Sequence, residues 1–385
     1  MKFLIFGDFH IHNVTNNDRF GDYMSTLKQI KKMVNRHKID IIVCVGDFFH
    51  NRKSLEVKLL YEVSNFFATE WKFRRGTPGN ALEDIPVVTN WIVGNHDCAT
   101  WRGTENSLTP MFEGLDNFRV IDRAQRFYHT RYNLYPFNQK LTCIYMPHFE
   151  KEEIGGMLAE VCELARENKA QGDKVVLFSH FGVSEAKINE YSDENYEDDE
   201  YIVSQADLTI FDRVFLGHYH IPQRLCNGRI AYTGSALPQD RGDVGMRGVI
   251  VYDSELDEYD WDWIDAPQFF TIEQGDKLEI SEEEIKNSYF KIIKGSNDKI
   301  DKELVKKLKA MGARVVDFKD RDEIVSKKRM AVMENGKQRT ASENMQWYIT
   351  NKGIELDKES LLWQIGKGLF LGKNIDDILK DKEII

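Results

Sequence analysis

The stretch "VFLGHYHIPQRLC" places His218 and His220 two residues apart, after an apolar run and before Pro222. Imidazole fills a core poorly and needs hydrogen-bond partners when buried. At the period of an extended segment both rings can face one side. Four other segments have the same form. "KFLIFGDFH" ends in Asp8 and His10, and "DIIVCVGDFFH" in Asp47 and His50. "PVVTNWIVGNHD" ends in Asn95, His96 and Asp97, and "KVVLFSH" in His180. In each, a short β-branched run gives way to residue types that ligate metals. Six of the ten histidines stand at these junctions.

The chemistry open to such a set is phosphoester hydrolysis on two cations. Asp47 can bridge both. Asp8, His10 and a distal histidine would complete one set; Asn95, His180 and another histidine would complete the second. Mixed imidazole and carboxylate donors favour Mn²⁺, Fe²⁺ or Zn²⁺ over Ca²⁺ or Mg²⁺. Two such ions about 3.5–4 Å apart clamp a phosphodiester and acidify a bound water. His96 and His50 are then spare, to protonate the leaving oxygen or steady the charge of the transition state.

The elements that must position these residues follow from patterning. Bounded apolar runs read as buried strands, and open α/β sheets bind ligands at the carboxyl ends of their strands. Between the runs, 24–38, 57–71 and 152–169 carry apolar residues at helical spacing. Alternating strand and helix over 1–265 predicts an α/β sandwich. After His220, "RIAYTG", "RGVIVYD" and "YDWDWI" predict an antiparallel edge. Residues 266–322 predict a small β-α-β unit, with Asp298 or Asp301 capping its helix and Gly312 ending it. Residues 323–341 read as a basic, aperiodic linker. The segment 342–385 reads as short amphipathic helices, among them "KESLLWQIGKGLFL".

Composition narrows the class. A chain of 385 residues exceeds one ordinary core, and 42% hydrophobic with 12% aromatic residues is a globular balance. No leader peptide is expected, and no apolar run reaches the ~18 residues of a membrane span. Five scattered cysteines, with no C-x-x-C, exclude a disulfide framework or zinc ribbon and predict reduced thiols in the cytoplasm. The net charge of −11 counts against a nucleic-acid partner, although bound divalent cations would reverse the sign locally. Much of the acidity lies in 189–201, which reads as a solvated loop.

The motifs GD-x-H, GD-x-x-H, GNHD, a lone histidine after a strand, and GH-x-H, in that order, resemble the calcineurin-like metallophosphoesterases. "YTGSALPQDRGDVGMRGVIVYD" at 232–253 resembles the SbcD-type nuclease subunits of double-strand-break repair, nearest the phage recombination endonuclease subunits. The resemblance covers the first ~320 residues at motif level.

That resemblance implies a four-layer α/β/β/α sandwich, a small β-α-β DNA-capping domain and C-terminal helices. It implies Asp8, His10, Asp47 and His220 as ligands of one metal, and Asp47, Asn95, His180 and His218 as ligands of the other. The ions would be Mn²⁺, with Mg²⁺ as the alternative. His96 would be the leaving-group acid and His50 its transition-state partner. The implied activity is a metal-dependent exonuclease and endonuclease on double- and single-stranded DNA, serving recombination, repair and replication. The implied partner is an SbcC-like coiled-coil ATPase docked on the C-terminal helices, with a homodimer of the nuclease in a heterotetramer. Two alternatives stand: a phosphatase or phosphodiesterase on a non-DNA substrate, and a catalytically dead scaffold. His12, His37, His129 and His148 read as surface or hydrogen-bonded histidines, Cys44 and Cys98 as fillers, and Asp97 as a brace for its turn.

Overall fold

The computed structural model describes residues 1–320 apart from 13–18, 52–54, 76–82, 86, 99–105, 113, 130–139, 188–201, 240–242, 244, 276, 278–279 and 296–297. The acidic stretch, the expected linker and the expected C-terminal helices therefore lie outside the described residues, as does the side chain of His129.

Two six-stranded sheets carry the architecture. The first runs Glu258–Trp263, Gly248–Asp253, Lys2–Phe6, Ile41–Cys44, Val88–Ile92, Phe118–Ile121. The second runs Gln223–Leu225, Ile230–Tyr232, Arg213–Gly217, Lys174–His180, Leu141–Met146, Gln125–His129. Their central strands pair in parallel, Phe6 opposite Cys44 and His180 opposite Gly217.

Strand alternation sorts the side chains into layers. Phe3, Ile5, Ile41 and Val43 of the first sheet meet Val176, Phe178 and Phe215 of the second in one buried cluster. Leu4, Phe6, Ile42 and Cys44 point the other way, onto Leu27, Ile30 and Val34 of helix Phe20–His37 and Val63 and Phe67 of helix Val57–Thr69. Val175 and Leu177 likewise meet Leu158, Val161 and Ala165 of helix Lys151–Ala170. The result is helix, sheet, sheet, helix, the four-layer sandwich. Each fully buried Phe or Ile contributes about 1.5–3 kcal/mol. A one-residue slip of any central strand would exchange two such faces, so the register at the strand ends is fixed.

One expectation needs correction. "RIAYTG" does not join an antiparallel edge with "RGVIVYD" and "YDWDWI". Ile230–Tyr232 lies in the second sheet, parallel to Arg213–Gly217, while Gly248–Asp253 and Glu258–Trp263 extend the first sheet antiparallel. Consecutive strands in different sheets leave no mark on local pattern.

Internal contacts divide the chain into residues 1–270 with 283–289, and residues 271–282 with the chain from Phe290 onward. Tyr289–Lys294 is the middle strand of a three-stranded sheet, between Phe269–Glu273 and Val315–Asp320. Helix Lys302–Ala310 buries Leu308. Asp301, not Asp298, caps it: its carboxylate accepts from the Glu303 and Leu304 N–H groups at 3.0 Å. Asp298 accepts from Gly295 N instead. Gly312 takes φ +92° just past the helix end. The strand Phe269–Glu273 was not anticipated. The five cysteines are free thiols, and among the described residues no helix is long and apolar enough to cross a membrane.

Candidate metal centre

Five strand ends converge as their polar residues suggested. Lys2–Phe6 leads to Asp8 and His10, Ile41–Cys44 to Asp47 and His50, and Val88–Ile92 to Asn95 and His96. From the second sheet come His180, ending its strand, and His218 and His220 after Arg213–Gly217. Sharp reversals follow the strands. Asp8, His10, Asp47 and His218 hold φ of 50°, 46°, 53° and 98°, in the left-handed region. Such conformations cost of order 1–3 kcal/mol each and persist where the surroundings over-determine them. Two glycines show how tight those surroundings are. A Cβ on Gly94 would strike the backbone N and carboxylate of Asp47, and one on Gly46, at φ +101°, would strike the His180 ring.

Asp97 is the brace. Its carboxylate accepts from the N–H groups of Asp47, Phe48, Phe49 and Gly94 at 2.8, 3.0, 3.1 and 3.0 Å. One buried side chain thus ties the GD-x-x-H turn to the GNHD turn. Burial and then Asp47 push Asp97 up to about 7, against the pull of those donors.

Asp47 sits at the centre. Its Oδ1 accepts from His96 N at 2.8 Å. Its Oδ2 lies 3.3 Å from His180 Nε2 and 3.6 Å from His10 Nε2. Burial alone would raise its pKa; His180, then His10 and His96, outweigh burial and hold the carboxyl well below the usual range. His180 Nδ1 lies 2.7 Å from the Val45 carbonyl, so that nitrogen carries the proton and donates. Its Nε2 then faces two oxygens, Asp47 Oδ2 and Asn95 Oδ1 at 3.0 Å. A bare lone pair cannot sit stably against two acceptors. Either a proton or a shared cation must lie there. In the protein without metal the proton does: burial would lower His180, but the Asp47 carboxylate lifts it to about 9.

Asp8 tells the same story. Its Oδ1 accepts from His218 N at 2.8 Å. Its Oδ2 is buried with no hydrogen-bond partner, a costly state for a carboxylate oxygen. Burial pushes Asp8 up to about 6. The ligating atoms of Asp8, His10 and His220 lie within 4.8 Å of one another, and so do those of Asp8, Asp47 and His180. An orphaned carboxylate oxygen and a histidine nitrogen facing oxygens fit divalent cations with mixed N and O donors. Asp8, His10, Asp47 and His220 could hold one ion. Asp47, Asn95, His180 and His218 could hold a second, the His218 ring centroid standing 5.3 Å from that of His180.

His96 and His50 stand beside these groups. His96 Nδ1 lies 2.8 Å from the His50 carbonyl and donates to it, which leaves Nε2 outside that bond, and the two rings stack at 5.2 Å. His50, His96 and His10 also approach one another closely enough to form a third cluster. Burial, then His96, push His50 down. His12 is hydrogen-bonded, its Nδ1 2.9 Å from both the His10 carbonyl and Tyr23 Oη. His37 pairs with Asp262 at 2.7 Å.

Two residues near the site were missed. His148 follows the buried strand Leu141–Met146 and is hydrogen-bonded as expected. Its ring centroid also lies 6.1 Å from that of His180 and 6.5 Å from that of His218. Burial pushes it down to about 3, so it is neutral. The signal was available, since "LTCIYMPH" repeats the pattern of an apolar run followed by histidine. Asp243 is the second, 3.3 Å from His220 Nδ1. A lone Asp within "DRGDVG" gave no signal.

A four-layer sandwich with this cluster on its strand ends defines the metallophosphoesterase fold of metal-dependent hydrolases. The chain belongs to the calcineurin-like phosphoesterase family, whose model matches residues 1–222. Members of that family bind divalent metals. No curated relative matches the sequence. Solved structures resemble it at low identity. An archaeal phosphodiesterase aligns at 11% identity and a TM-score of 0.31, over 69% of this chain and 100% of its own. A dimetal phosphatase from Danio rerio aligns at 11% and 0.39, over 65% and 91%. The calcineurin-like phosphoesterase YfkN from Bacillus subtilis aligns at 13% and 0.38, over 68% and 87%.

Proposed function

We propose that this chain is the metal-dependent DNA nuclease subunit of an SbcCD-like ATPase–nuclease complex, hydrolysing phosphodiesters on two divalent ions, Mn²⁺ foremost. The observation that carries the reading is the built-in position of the segment whose sequence resembles SbcD-type nucleases. From within 232–253, Asp243 pairs with His220 at 3.3 Å, and Gln239 Nε2 donates to the Phe9 carbonyl at 2.8 Å. The segment that resembles those nucleases thus borders the candidate metal centre.

Bound ions would acidify a water and offset phosphate charge. The protein's own groups do the rest. Asp47, between His10 and His180, supplies the carboxylate shared by both sets. Val45 and Asn95 fix the His180 ring. His96, its Nδ1 proton held by the His50 carbonyl, gives the departing oxygen the Nε2 proton of its doubly protonated ring and becomes neutral, and the stacked His50 lends hydrogen bonds to the phosphoryl oxygens. The remaining expectations, DNA as substrate, a capping role for the β-α-β unit and an ATPase bound by residues 342–385, belong to this proposal.

The net charge of −11 favours a second reading, a phosphatase or phosphodiesterase on a small substrate. An Mn²⁺-dependent assay on duplex and single-stranded DNA, beside p-nitrophenyl phosphate and its bis ester, separates the readings. The nuclease reading expects cleavage of DNA and of the diester. Hydrolysis of the monoester with DNA untouched overturns it in favour of a phosphatase. Metal bound with none of the four substrates cleaved leaves a scaffold.

A further inference from the structure

Outside the converging strand ends, the loop between strands Ile230–Tyr232 and Gly248–Asp253 holds a second set of buried charges. Asp243 and Arg247, four residues apart, are 5% and 2% exposed. Both carboxylate oxygens face polar groups. Its Oδ2 accepts from Gln239 N at 2.7 Å and Ser235 Oγ at 3.5 Å, and faces His220 Nδ1 at 3.3 Å. Its Oδ1 faces Arg247 Nη2 at 3.5 Å. His220 presents its other nitrogen, Nε2, to the metal centre, 3.1 Å from His10 Nε2. The chain Arg247–Asp243–His220 therefore runs from a buried guanidinium to a ring nitrogen at the site.

We infer that Asp243, held by Arg247, is a positioning residue that fixes His220 in the tautomer with its proton on Nδ1 and its Nε2 lone pair turned to the metal centre. A carboxylate accepts and never donates when ionised. Facing Nδ1, it requires the proton there, which leaves Nε2 as the ligating atom. Arg247 keeps the carboxylate charged in a place where a lone anion would be expensive. Such outer partners orient a ligand ring and raise its basicity, and their loss costs 10–100-fold in metal affinity as an order of magnitude. A purely structural role, neutralising Arg247, would leave the His220 tautomer and metal affinity untouched.

The inference rests on the two-ion reading, and the experiment separates the two. Side-chain ¹⁵N–¹H spectra of the metal-free protein report the His220 tautomer, and calorimetric Mn²⁺ titration reports affinity and stoichiometry. Asp243→Asn keeps the shape and an acceptor oxygen but loses the charge; Asp243→Ala loses both. The expected order of affinity is wild type, then Asn, then Ala, the last about 10–100-fold weaker, with His220 losing its single Nδ1–H form. If Asp243→Ala does not fold, the Asn variant alone still carries the test, with an expected loss of affinity. Wild-type tautomer and affinity in folded variants would overturn the inference while leaving the two-ion reading intact. A wild-type protein that binds no ion would overturn both.

Discussion

Asp47 Oδ2 lies 3.3 Å from His180 Nε2 across the seam between the two sheets. Neither residue can reach the other unless the sheets stack face to face with their strand ends at one rim. The sandwich core and the candidate metal centre are therefore one construction: Phe3, Ile5, Phe178 and Phe215 pack the sheets face to face, and the strand ends bring the candidate ligands together. The predictions below act on that link.

Asp97 gathers four backbone N–H groups. Replacing it by alanine leaves buried donors without acceptors, each at about 1–3 kcal/mol. Asp97→Ala should destabilise the protein by more than about 3 kcal/mol by that reckoning, seen as a lower midpoint in urea unfolding. A midpoint within error of wild type would show that water or another group replaces the carboxylate.

His96 is assigned to proton transfer, with Asp47 accepting only from its backbone N–H. His96→Ser keeps that N–H and should keep both metals, while the chemical step falls about 10²–10⁴-fold. Metal content and single-turnover rates measure the two effects separately. Loss of metal would make His96 a ligand.

The strand ends that carry the candidate ligands are legible in the sequence, because an apolar run followed by Asp or His is a local pattern. It revealed helices Phe20–His37, Val57–Thr69 and Lys151–Ala170 by their periodicity. It did not reveal that Ile230–Tyr232 and Gly248–Asp253 lie in different sheets, since sheet membership depends on distant partners. The strand Phe269–Glu273 also escaped, its residues all partly exposed or exposed and without clean alternation. Asp243 escaped because its meaning comes from His220, which only the fold brings to it. The left-handed backbone of Asp8, His10, Asp47 and His218 has no signature in residue type beyond the known tolerance of Asp and His for it.

Asp257 receives Arg213 at 2.9 Å and Lys174 at 2.6 Å. Burial would raise its pKa, but the hydrogen bonds from Arg213 and Lys174 outweigh that and hold it below the usual range. A carboxyl depressed on folding contributes stability above its unfolded value of ~3.9, and that contribution disappears as pH falls through the folded value. The melting temperature of wild type should exceed that of Asp257→Asn by a constant margin above about pH 5, shrinking below about pH 4. A margin unchanged down to pH 3 would contradict the pairing.

Residues 342–385, in the proposal, dock on the coiled-coil root of the ATPase. Short helices need a surface to bury their apolar face, and Leu361, Leu362, Ile365 and Leu369 have the spacing of helix-in-groove anchors. Truncation after Val325 should leave Mn²⁺-dependent hydrolysis of short single-stranded DNA intact and abolish co-purification with the ATPase. Tight ATPase binding by the truncated chain would place the interface elsewhere; an insoluble or inactive product would make the segment part of the core.

The central claim is that one carboxylate serves two cations. Mn²⁺ stoichiometry, measured by calorimetry and by elemental analysis of the dialysed protein, tests it in wild type and Asp47→Asn. The account predicts two ions per wild-type chain, and loss of both sites together with hydrolysis in the variant. Two ions still bound to Asp47→Asn, with full activity at limiting Mn²⁺, would contradict it.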